Sequence, residues 1–195
     1  MIIVVEGIDR VGKTTLCDMI EERYRNVLDF MRFRDDTRYA HSHGDRLINT
    51  EKINTLQNLM EAGFVDNIIL DRYHITEFVY GGVERNYKNF DMLDIDERLS
   101  KMGTVILVYV VPTDVEKSSR EHGVNLSRHL AWYNDFYDHI TKIEKKVKVG
   151  YETLDVALTY IDSVLGINTS GETEVTGEPT EVSGEEGEVE ESETK

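Results

Sequence analysis

The stretch MIIVVEGIDRVGKTTL, residues Met1 to Leu16, decides the fold. Ile2 to Val5 form a continuous apolar run, and Gly7 to Thr14 matches G-x-x-x-x-G-K-[ST] at every fixed position before a helix-like sequence begins. Such a match arises by chance in less than about one chain in a hundred, given an average glycine usage of roughly 7%. We therefore predict a phosphate-binding loop between a strand and a helix, rather than an ordinary glycine-containing turn.

The residue types in this loop suit a nucleoside triphosphate. Gly7 and Gly12 permit positive φ angles, so that backbone N–H groups can cradle phosphate oxygens at the start of the next helix. Lys13 is expected to reach the β- and γ-phosphates of ATP, and the Thr14 hydroxyl is expected to bind Mg²⁺. The predicted phosphate-binding residues of this segment are Gly7, Asp9, Arg10, Val11, Gly12, Lys13, Thr14 and Thr15.

Length and composition predict a single α/β domain over residues 1–167. The chain has 195 residues, 39% of them hydrophobic, and a single cysteine, Cys17, which excludes an intramolecular disulfide. The longest apolar run, Val105 to Val111, is too short to cross a membrane, and no signal peptide is recognisable. We expect a cytoplasmic protein, in the host cytoplasm if a virus encodes it, and Cys17 is expected to be a packed, neutral residue.

The negative charge is concentrated at the C-terminus. Residues 168–195 contain ten Glu and one Lys, a net charge of −9 out of −16, which leaves −7 for residues 1–167. This tail is predicted to be disordered, because it cannot bury enough apolar surface, and a solubilising role is favoured over a specific interaction motif. The acidic body makes nucleic acid an unlikely partner but remains compatible with a small phosphorylated ligand.

Hydrophobic patterning predicts a parallel sheet of about five strands flanked by helices on both faces. The predicted strands cover residues 2–5, 27–33, 67–70, 104–111 and 147–149. The predicted helices cover residues 13–25, 45–64, 75–82, 96–102, 126–147 and 153–165. The basic run from Lys145 to Lys148 is interpreted as a solvated helix end.

Charged residues follow the third predicted strand, at Asp71-Arg72-Tyr73. In doubly wound sheets the ligand crevice lies at the carboxyl ends of the strands, so these side chains are expected at the site. Asp71 is a candidate for Mg²⁺, and Arg72 is a candidate for a forked contact with phosphate. The alternative is a solvated pair in which Asp71 caps the following helix.

Two further segments contain candidate ligands. Residues 116–128, which include Arg120, are basic and contain glycine, so they suit a lid that closes over phosphates; a solvated helical face is nearly as consistent with this pattern. Arg120 is therefore added to the ATP-binding set. His41 and His43 lie two positions apart and no cysteine lies nearby, so they are a poor candidate for a metal site.

The order of motifs from Met1 to Leu165 resembles that of thymidylate kinases and the related deoxynucleoside kinases. The most specific segments are EGIDRVGKTT, residues 6–15, and DRYHITEFVYGG, residues 71–82. The resemblance implies a P-loop nucleotide-kinase fold with a lid. Arg10 is similar to the catalytic arginine that one variant of the family carries inside the phosphate-binding loop.

The resemblance also implies a role for individual residues. Asp9 would accept a hydrogen bond from the deoxyribose 3′-hydroxyl, and Arg72 would hold the acceptor phosphate. Phe33 would stack on the acceptor base, and Asp71 would help to place Mg²⁺. The implied catalytic residues are Lys13, Arg10 and Asp71, and the implied acceptor-binding residues are Asp9, Phe33, Arg72, Thr76 and Tyr80.

Several positions depart from the family pattern. The Phe-Pro-x-Arg loop appears as Phe33-Arg34-Asp35-Asp36, without proline and with an acid where an arginine is usual. Thr76 replaces a serine, and Gly81 stands where a base-reading glutamine is usual. These changes leave the identity of the base open, and Arg34 or Arg38 are candidates to replace the missing arginine.

We predict a kinase, dependent on ATP and Mg²⁺, that phosphorylates a deoxynucleoside monophosphate of the dTMP type or with a modified pyrimidine. A deoxynucleoside kinase is the nearest alternative, with Glu6 or Asp71 as general base. A kinase acting on a modified base in DNA and a non-catalytic nucleotide-binding regulator are the others. The resemblance further implies a possible homodimer.

Overall fold

The computed structural model describes residues 1–34, 43–84, 91–115 and 126–167, with the side chains of residues 43–49 excepted. Most of the predicted lid, including Arg120, lies outside these residues, as do Arg38, His41 and the acidic tail. The predictions for those segments therefore stay predictions.

The described chain alternates strands and helices along most of its length. The strands are β1 (Ile2–Glu6), β2 (Met31–Arg34), β3 (Ile68–Asp71), β4 (Val105–Val111) and β5 (Lys146–Gly150). The helices are α1 (Lys13–Tyr24), α2 (His43–Glu61), α3 (His74–Glu84), α4 (Asp91–Ser100), α5 (Ser127–Asp135) and α6 (Leu154–Leu165). A π-helical turn (Phe136–Ile140) continues α5, and a 3₁₀ turn (Tyr151–Thr153) precedes α6.

The five strands form one parallel sheet with the order β2-β3-β1-β4-β5. Strand β1 is central, so the loop that follows it opens at the middle of the carboxyl edge. The register pairs Val5 with Asp71 and Glu6 with Tyr109, which brings the ends of β1 and β3 to one level, while β4 continues to Val111. The five-stranded parallel architecture predicted from the sequence is confirmed.

The core lies on both faces of the central strands. All residues of β1 and β3 are buried, as a parallel sheet covered on both faces requires. Helix α1 packs on the sheet through Leu16, Cys17 and Ile20, each fully buried. Burial raises the pKa of the Cys17 thiol, which fits the predicted packed and neutral cysteine. In the described residues, no helix is long and apolar enough to span a membrane.

The second strand is shorter than predicted. It begins at Met31 rather than Val27, because the N–H groups of Val27 and Leu28 donate to the Tyr24 carbonyl and prolong the turn after α1. Val27 is 68% exposed, so its apolar character does not indicate a buried strand position. Helix α4 begins at Asp91 rather than Asp96, with Asp91 and Asp94 in its first turn, where the helix dipole favours acids.

The predicted long helix over residues 126–147 is wrong. The helical segment ends at Ile140, because Thr141 donates through its hydroxyl to Asp96 (2.7 Å) and the Lys142 N–H donates to the same carboxylate (2.6 Å). Asp96 lies in α4, and its Oδ1 is 2.9 Å from His74 Nε2. A residue of α4 therefore determines that the helical segment after Ser127 ends at Ile140. Residues 145–148 are consequently not a helix end, and Lys146 and Lys148 belong to β5.

Candidate active site

The loop between β1 and α1 adopts the conformation that its glycines allow. Gly7 has φ of 142° and Gly12 has φ of 92°, whereas Arg10 has φ of 60° without being glycine. A Cβ at Gly7 would lie 2.2 Å from the Val110 carbonyl oxygen, and one at Gly12 would lie 2.4 Å from the Tyr151 ring. Both glycines are therefore required by space as well as by backbone angle.

A cavity of about 400 Å³ opens where this loop meets the start of α1. The first-turn N–H groups of a helix lack intrahelical partners, which makes this end suitable for an anion. Four cationic residues contribute to the wall although the chain as a whole is acidic. The lining residues are Arg10, Gly12, Lys13, Thr14, Thr15, Arg34, Arg72 and Tyr151. The arrangement can bind a polyphosphate.

Lys13 is held inside the loop. It is 4% exposed, and its ammonium donates to the carbonyl of Ile8. Burial and the neighbouring Arg72 lower the pKa of Lys13 to about 7, although Asp9, Glu6 and Asp71 act in the opposite direction. A phosphate bound at this position would be a negatively charged partner for the buried ammonium.

Arg72 lies between the loop and the cavity. Its φ is 70°, its backbone N–H donates to the Val5 carbonyl (3.0 Å), and its Nη2 donates to the Asp9 carboxylate. The residue is 4% exposed, and its Nε and Nη1 are buried without a hydrogen-bond partner in the described part of the chain. Leaving buried guanidinium donors unpaired is costly, so an anion at the cavity wall would satisfy them.

Asp71 is buried at the end of β3, with 1% exposure. Its Oδ2 accepts a hydrogen bond from Arg32 Nη2 (2.9 Å), and Arg34 Nε lies 3.9 Å from the same oxygen. Its Oδ1 is buried and has no hydrogen-bond partner within the residues described. The unpartnered oxygen of Asp71 and the Thr14 hydroxyl are groups of the kind that bind Mg²⁺, which takes one or two protein oxygens and completes its shell with water and phosphate.

Glu6 is a structural residue. Its side chain is fully buried, and its Oε1 accepts the N–H groups of Tyr73 (2.8 Å), Ile75 (3.2 Å) and Thr76 (3.2 Å). Its Oε2 accepts from the Thr76 hydroxyl. Glu6 thus satisfies the free N–H groups at the start of α3, and these hydrogen bonds occupy the carboxylate that a general base would need.

Solved structures resemble this fold although no protein-family model and no curated protein sequence matches the chain. The YorR protein of Bacillus subtilis, in complex with phosphorylated GDP, matches with a TM-score of 0.61 and 16% identity, over 86% of this chain and 96% of that one. A thymidylate kinase from Candida albicans matches with a TM-score of 0.57 and 14% identity, over 85% and 92%. The chain has the P-loop nucleotide-kinase fold.

A second kinase points to the same fold. Deoxyadenosine kinase from M. mycoides, with the products dCMP and dCDP bound, matches with a TM-score of 0.53 and 14% identity, over 84% of this chain and all of that one. The nucleotide-kinase fold expected from the sequence resemblance is thus confirmed. At these identities the likeness shows the fold alone and does not identify the reaction.

In this nucleotide-kinase fold, Tyr80 and Phe33 lie beside the loop and β3. Tyr80 is 5% exposed, and its ring packs at a tilt of 51° against His129 with 4.8 Å between centroids. Burial and the Asp9 carboxylate raise the pKa of Tyr80 to about 12, although the adjacent Arg72 acts in the opposite direction. Phe33 is half-buried and meets the Tyr73 ring edge-on at 6.3 Å. Their acceptor-binding roles stay predictions.

Thr76 is not exposed, although it is one of the predicted acceptor-binding residues. It is fully buried, its hydroxyl donates to Glu6, and that hydroxyl lies 2.8 Å from the Tyr133 hydroxyl. Both hydrogen-bonding directions of the Thr76 hydroxyl are therefore occupied by protein groups. Its predicted contact with an acceptor would have to displace one of them.

Sequence reasoning missed residues that distant strands bring to the cavity. Tyr151 directly follows β5, and its ring covers Gly12. Arg32 lies in β2 and reaches Asp71, whereas Arg34 lies at the end of the same strand, and the sequence indicates it only as a substitute for a missing arginine. The rule that ligands bind at the carboxyl ends of parallel strands could have identified Tyr151 and Arg34, had β2 and β5 been bounded correctly.

Proposed function

We propose that the protein is a nucleotide kinase that transfers the γ-phosphoryl group of ATP to a deoxynucleoside monophosphate, giving the diphosphate. A thymidylate-type or modified pyrimidine acceptor is favoured. The observation that carries this proposal is Arg72, whose buried Nε and Nη1 have no hydrogen-bond partner among the described residues, beside the phosphate-binding loop. A phosphate would supply the negative charge that these donors require, and an unphosphorylated acceptor would leave them unpaired.

The donor nucleotide occupies the loop. Backbone N–H groups from Arg10 to Thr15 hold the β- and γ-phosphates, and Lys13 exchanges its bond to the Ile8 carbonyl for a phosphate oxygen. Thr14 and Asp71 would hold Mg²⁺, and the cation would supply positive charge to the phosphates.

The acceptor occupies the side nearest β2 and β3. Arg72 and Arg34 line the same cavity and hold the acceptor phosphate. The ion pair to Arg72 fixes the Asp9 carboxylate, so that it can accept from the sugar 3′-hydroxyl. Phe33 and Tyr80 supply aromatic surface for the base.

Transfer itself requires alignment and charge neutralisation rather than covalent chemistry by the protein. Arg10 lies in the loop with a positive φ and lines the cavity. Together with Lys13 it would stabilise the charge on the transferring phosphoryl group.

A deoxynucleoside kinase is the second candidate, since one of the structures with this fold is a deoxyadenosine kinase. That reaction needs a general base for the 5′-hydroxyl. Glu6 accepts four hydrogen bonds and is fully buried, so it is poorly suited to this role. Asp71 keeps one oxygen, Oδ1, for such a task.

The deciding experiment measures ADP release from ATP and Mg²⁺ over a panel of deoxynucleosides and their monophosphates. We expect turnover with one or more monophosphates, pyrimidines first. Turnover with nucleosides alone would establish the second candidate, and ADP release without an acceptor would indicate an ATPase. Nucleotide binding without any turnover would indicate a regulator, and oligonucleotides with modified bases test the remaining alternative.

A further inference from the structure

The side chain of Arg32 joins two acidic residues from different elements. Its Nη2 donates to Asp71 Oδ2 at 2.9 Å, and its Nη1 donates to Asp18 Oδ1 on α1 at 2.6 Å. A second carboxylate of α1, Glu21, lies 3.8 Å from the same Nη1. Arg32 therefore spans from the helix that follows the phosphate-binding loop to the end of β3.

The two ends of this bridge differ in exposure. The Asp71 side chain is 1% exposed, that of Arg32 is 21% exposed, and that of Asp18 is 62% exposed. A planar guanidinium with separate nitrogens on two carboxylates has little freedom to rotate. The bond to Asp18 consequently fixes the guanidinium, and the guanidinium fixes the orientation of the Asp71 carboxylate.

This orientation leaves one particular atom available. Arg32 uses Oδ2, whereas Oδ1 of Asp71 is buried and has no hydrogen-bond partner in the described ranges. Arg34 Nε, at 3.9 Å from Oδ2, is too distant for a hydrogen bond to it and instead belongs to the cavity wall. A purely structural ion pair gains nothing from an unpaired second oxygen, because a buried unsatisfied acceptor costs free energy.

We propose that Arg32 is a positioning residue, which holds Asp71 through Oδ2 so that Oδ1 is presented to the divalent cation of the nucleotide site. The inference rests on the proposed function only for the presence of that cation. Groups that orient a metal-binding carboxylate typically contribute about 10- to 100-fold to metal affinity. Arg32 acts through Asp71 and needs no contact with either substrate.

The test measures binding of Mn²⁺, as a paramagnetic substitute for Mg²⁺, to the full-length protein with ADP by electron paramagnetic resonance. Arg32→Met keeps the apolar stem and removes the guanidinium, and we expect Mn²⁺ affinity in the ADP complex to fall about 10-fold or more. Arg32→Lys keeps one cationic contact and should recover part of this loss. ADP binding without a divalent cation should be unchanged in both variants.

Two further variants separate positioning from folding. Asp18→Asn alters an exposed residue that does not touch Asp71, yet it should weaken Mn²⁺ binding by a smaller factor, because the guanidinium loses its second anchor. Arg25→Met removes an arginine that is 68% exposed and paired with Glu22 at the surface, so it should leave Mn²⁺ affinity unchanged. Thermal unfolding of each variant checks that it is folded.

The outcomes distinguish this inference from the proposed function. Equal Mn²⁺ affinity in the wild type, Arg32→Met and Asp18→Asn would overturn the positioning role, as would a wild type that binds no Mn²⁺ with ADP. A clear loss in both variants supports the role even if the acceptor panel shows no phosphoryl transfer. In that case the proposed function fails and the inference stands.

Discussion

Asp9 and Arg72 form an ion pair between the phosphate-binding loop and the end of β3, although 63 positions separate them in the sequence. Both residues have side chains that are largely shielded, at 20% and 5% exposure. The pair fixes Arg72 through one nitrogen, and the other two have no hydrogen-bond partner among the described residues. It therefore restricts the rotation of both side chains.

Replacement of Arg72 by lysine should separate phosphate recognition from charge. The ammonium keeps the positive charge but lacks the separate, rigidly placed donors of the guanidinium. With each charged hydrogen bond contributing about 1.5–3 kcal/mol, we expect KM for the monophosphate acceptor to rise about 10- to 100-fold. Steady-state kinetics measure this, with Arg25→Lys as an exposed control. An unchanged acceptor KM would contradict the assignment of Arg72.

Replacement of Arg10 or of Lys13 by alanine should act on kcat. Each residue is expected to neutralise charge that develops during transfer, and arginines in this role contribute about 10³–10⁵-fold to kcat. We expect losses of that order in single-turnover assays, with circular dichroism showing that each variant is folded. Near-normal turnover in either variant would remove the proposed mechanism.

The lowered pKa of Lys13 predicts a pH-dependent stability effect in the ligand-free protein. Below about pH 7 the ammonium is charged in the folded and the unfolded chain, so its burial penalty is fully present. Between about 7 and the ordinary value of 10.5, the unfolded chain binds more protons than the folded one, so stability from this group rises with pH.

Lys13→Met removes this penalty. The variant should therefore have a higher Tm than wild type at pH 6, by roughly 2–4 °C for each kcal/mol gained, and this difference should shrink as the pH approaches 10.5. Thermal unfolding across the pH range measures it. A difference that is independent of pH would show that the ammonium of Lys13 is not the group responsible.

Glu6→Gln should lower the thermal stability of the protein more than it lowers kcat. The amide would turn an N–H₂ group or a weaker acceptor toward three backbone N–H donors and the Thr76 hydroxyl, at a cost of about 1–3 kcal/mol. We expect a fall in Tm of about 2–10 °C, and Glu22→Gln on the exposed side of α1 serves as control. A large loss of kcat at unchanged Tm would instead indicate that Glu6 is a general base.

Gly82 is required by packing rather than by backbone conformation. A Cβ at this position in α3 would lie 2.2 Å from the Trp132 ring, which packs against Phe78 at 5.6 Å. Gly82→Ala should destabilise the protein by about 1–3 kcal/mol through overpacking. Gly103→Ala, where nothing lies within 4 Å, is the matched control and should change the denaturation midpoint little. Equal midpoints for the two variants would contradict this account.

Local signals account for the parts of the fold that were predicted well. The phosphate-binding loop depends on residues at fixed spacing, and β4 is a run of seven apolar residues, so neither requires knowledge of distant contacts. The end of the helical segment at Ile140 could not be predicted in this way. Apolar and aromatic residues recur up to Ile143, and the break depends on Asp96 of α4, which accepts two hydrogen bonds from residues 141 and 142.

The sequence by itself determined the chemistry of the loop and the parallel sheet. Gly7, Gly12, Lys13 and Thr14 specify a phosphate cradle because their backbone and side-chain properties act over a few residues. Only the tertiary structure decided which other groups reach that cradle. Arg34 and Tyr151 come from the end of β2 and from the residue after β5, at opposite edges of the sheet, and the strand order together with parallel register brings them to the same end. The pairing of Asp71 Oδ2 with Arg32, which leaves Oδ1 available, is likewise a consequence of that register and not of any local pattern.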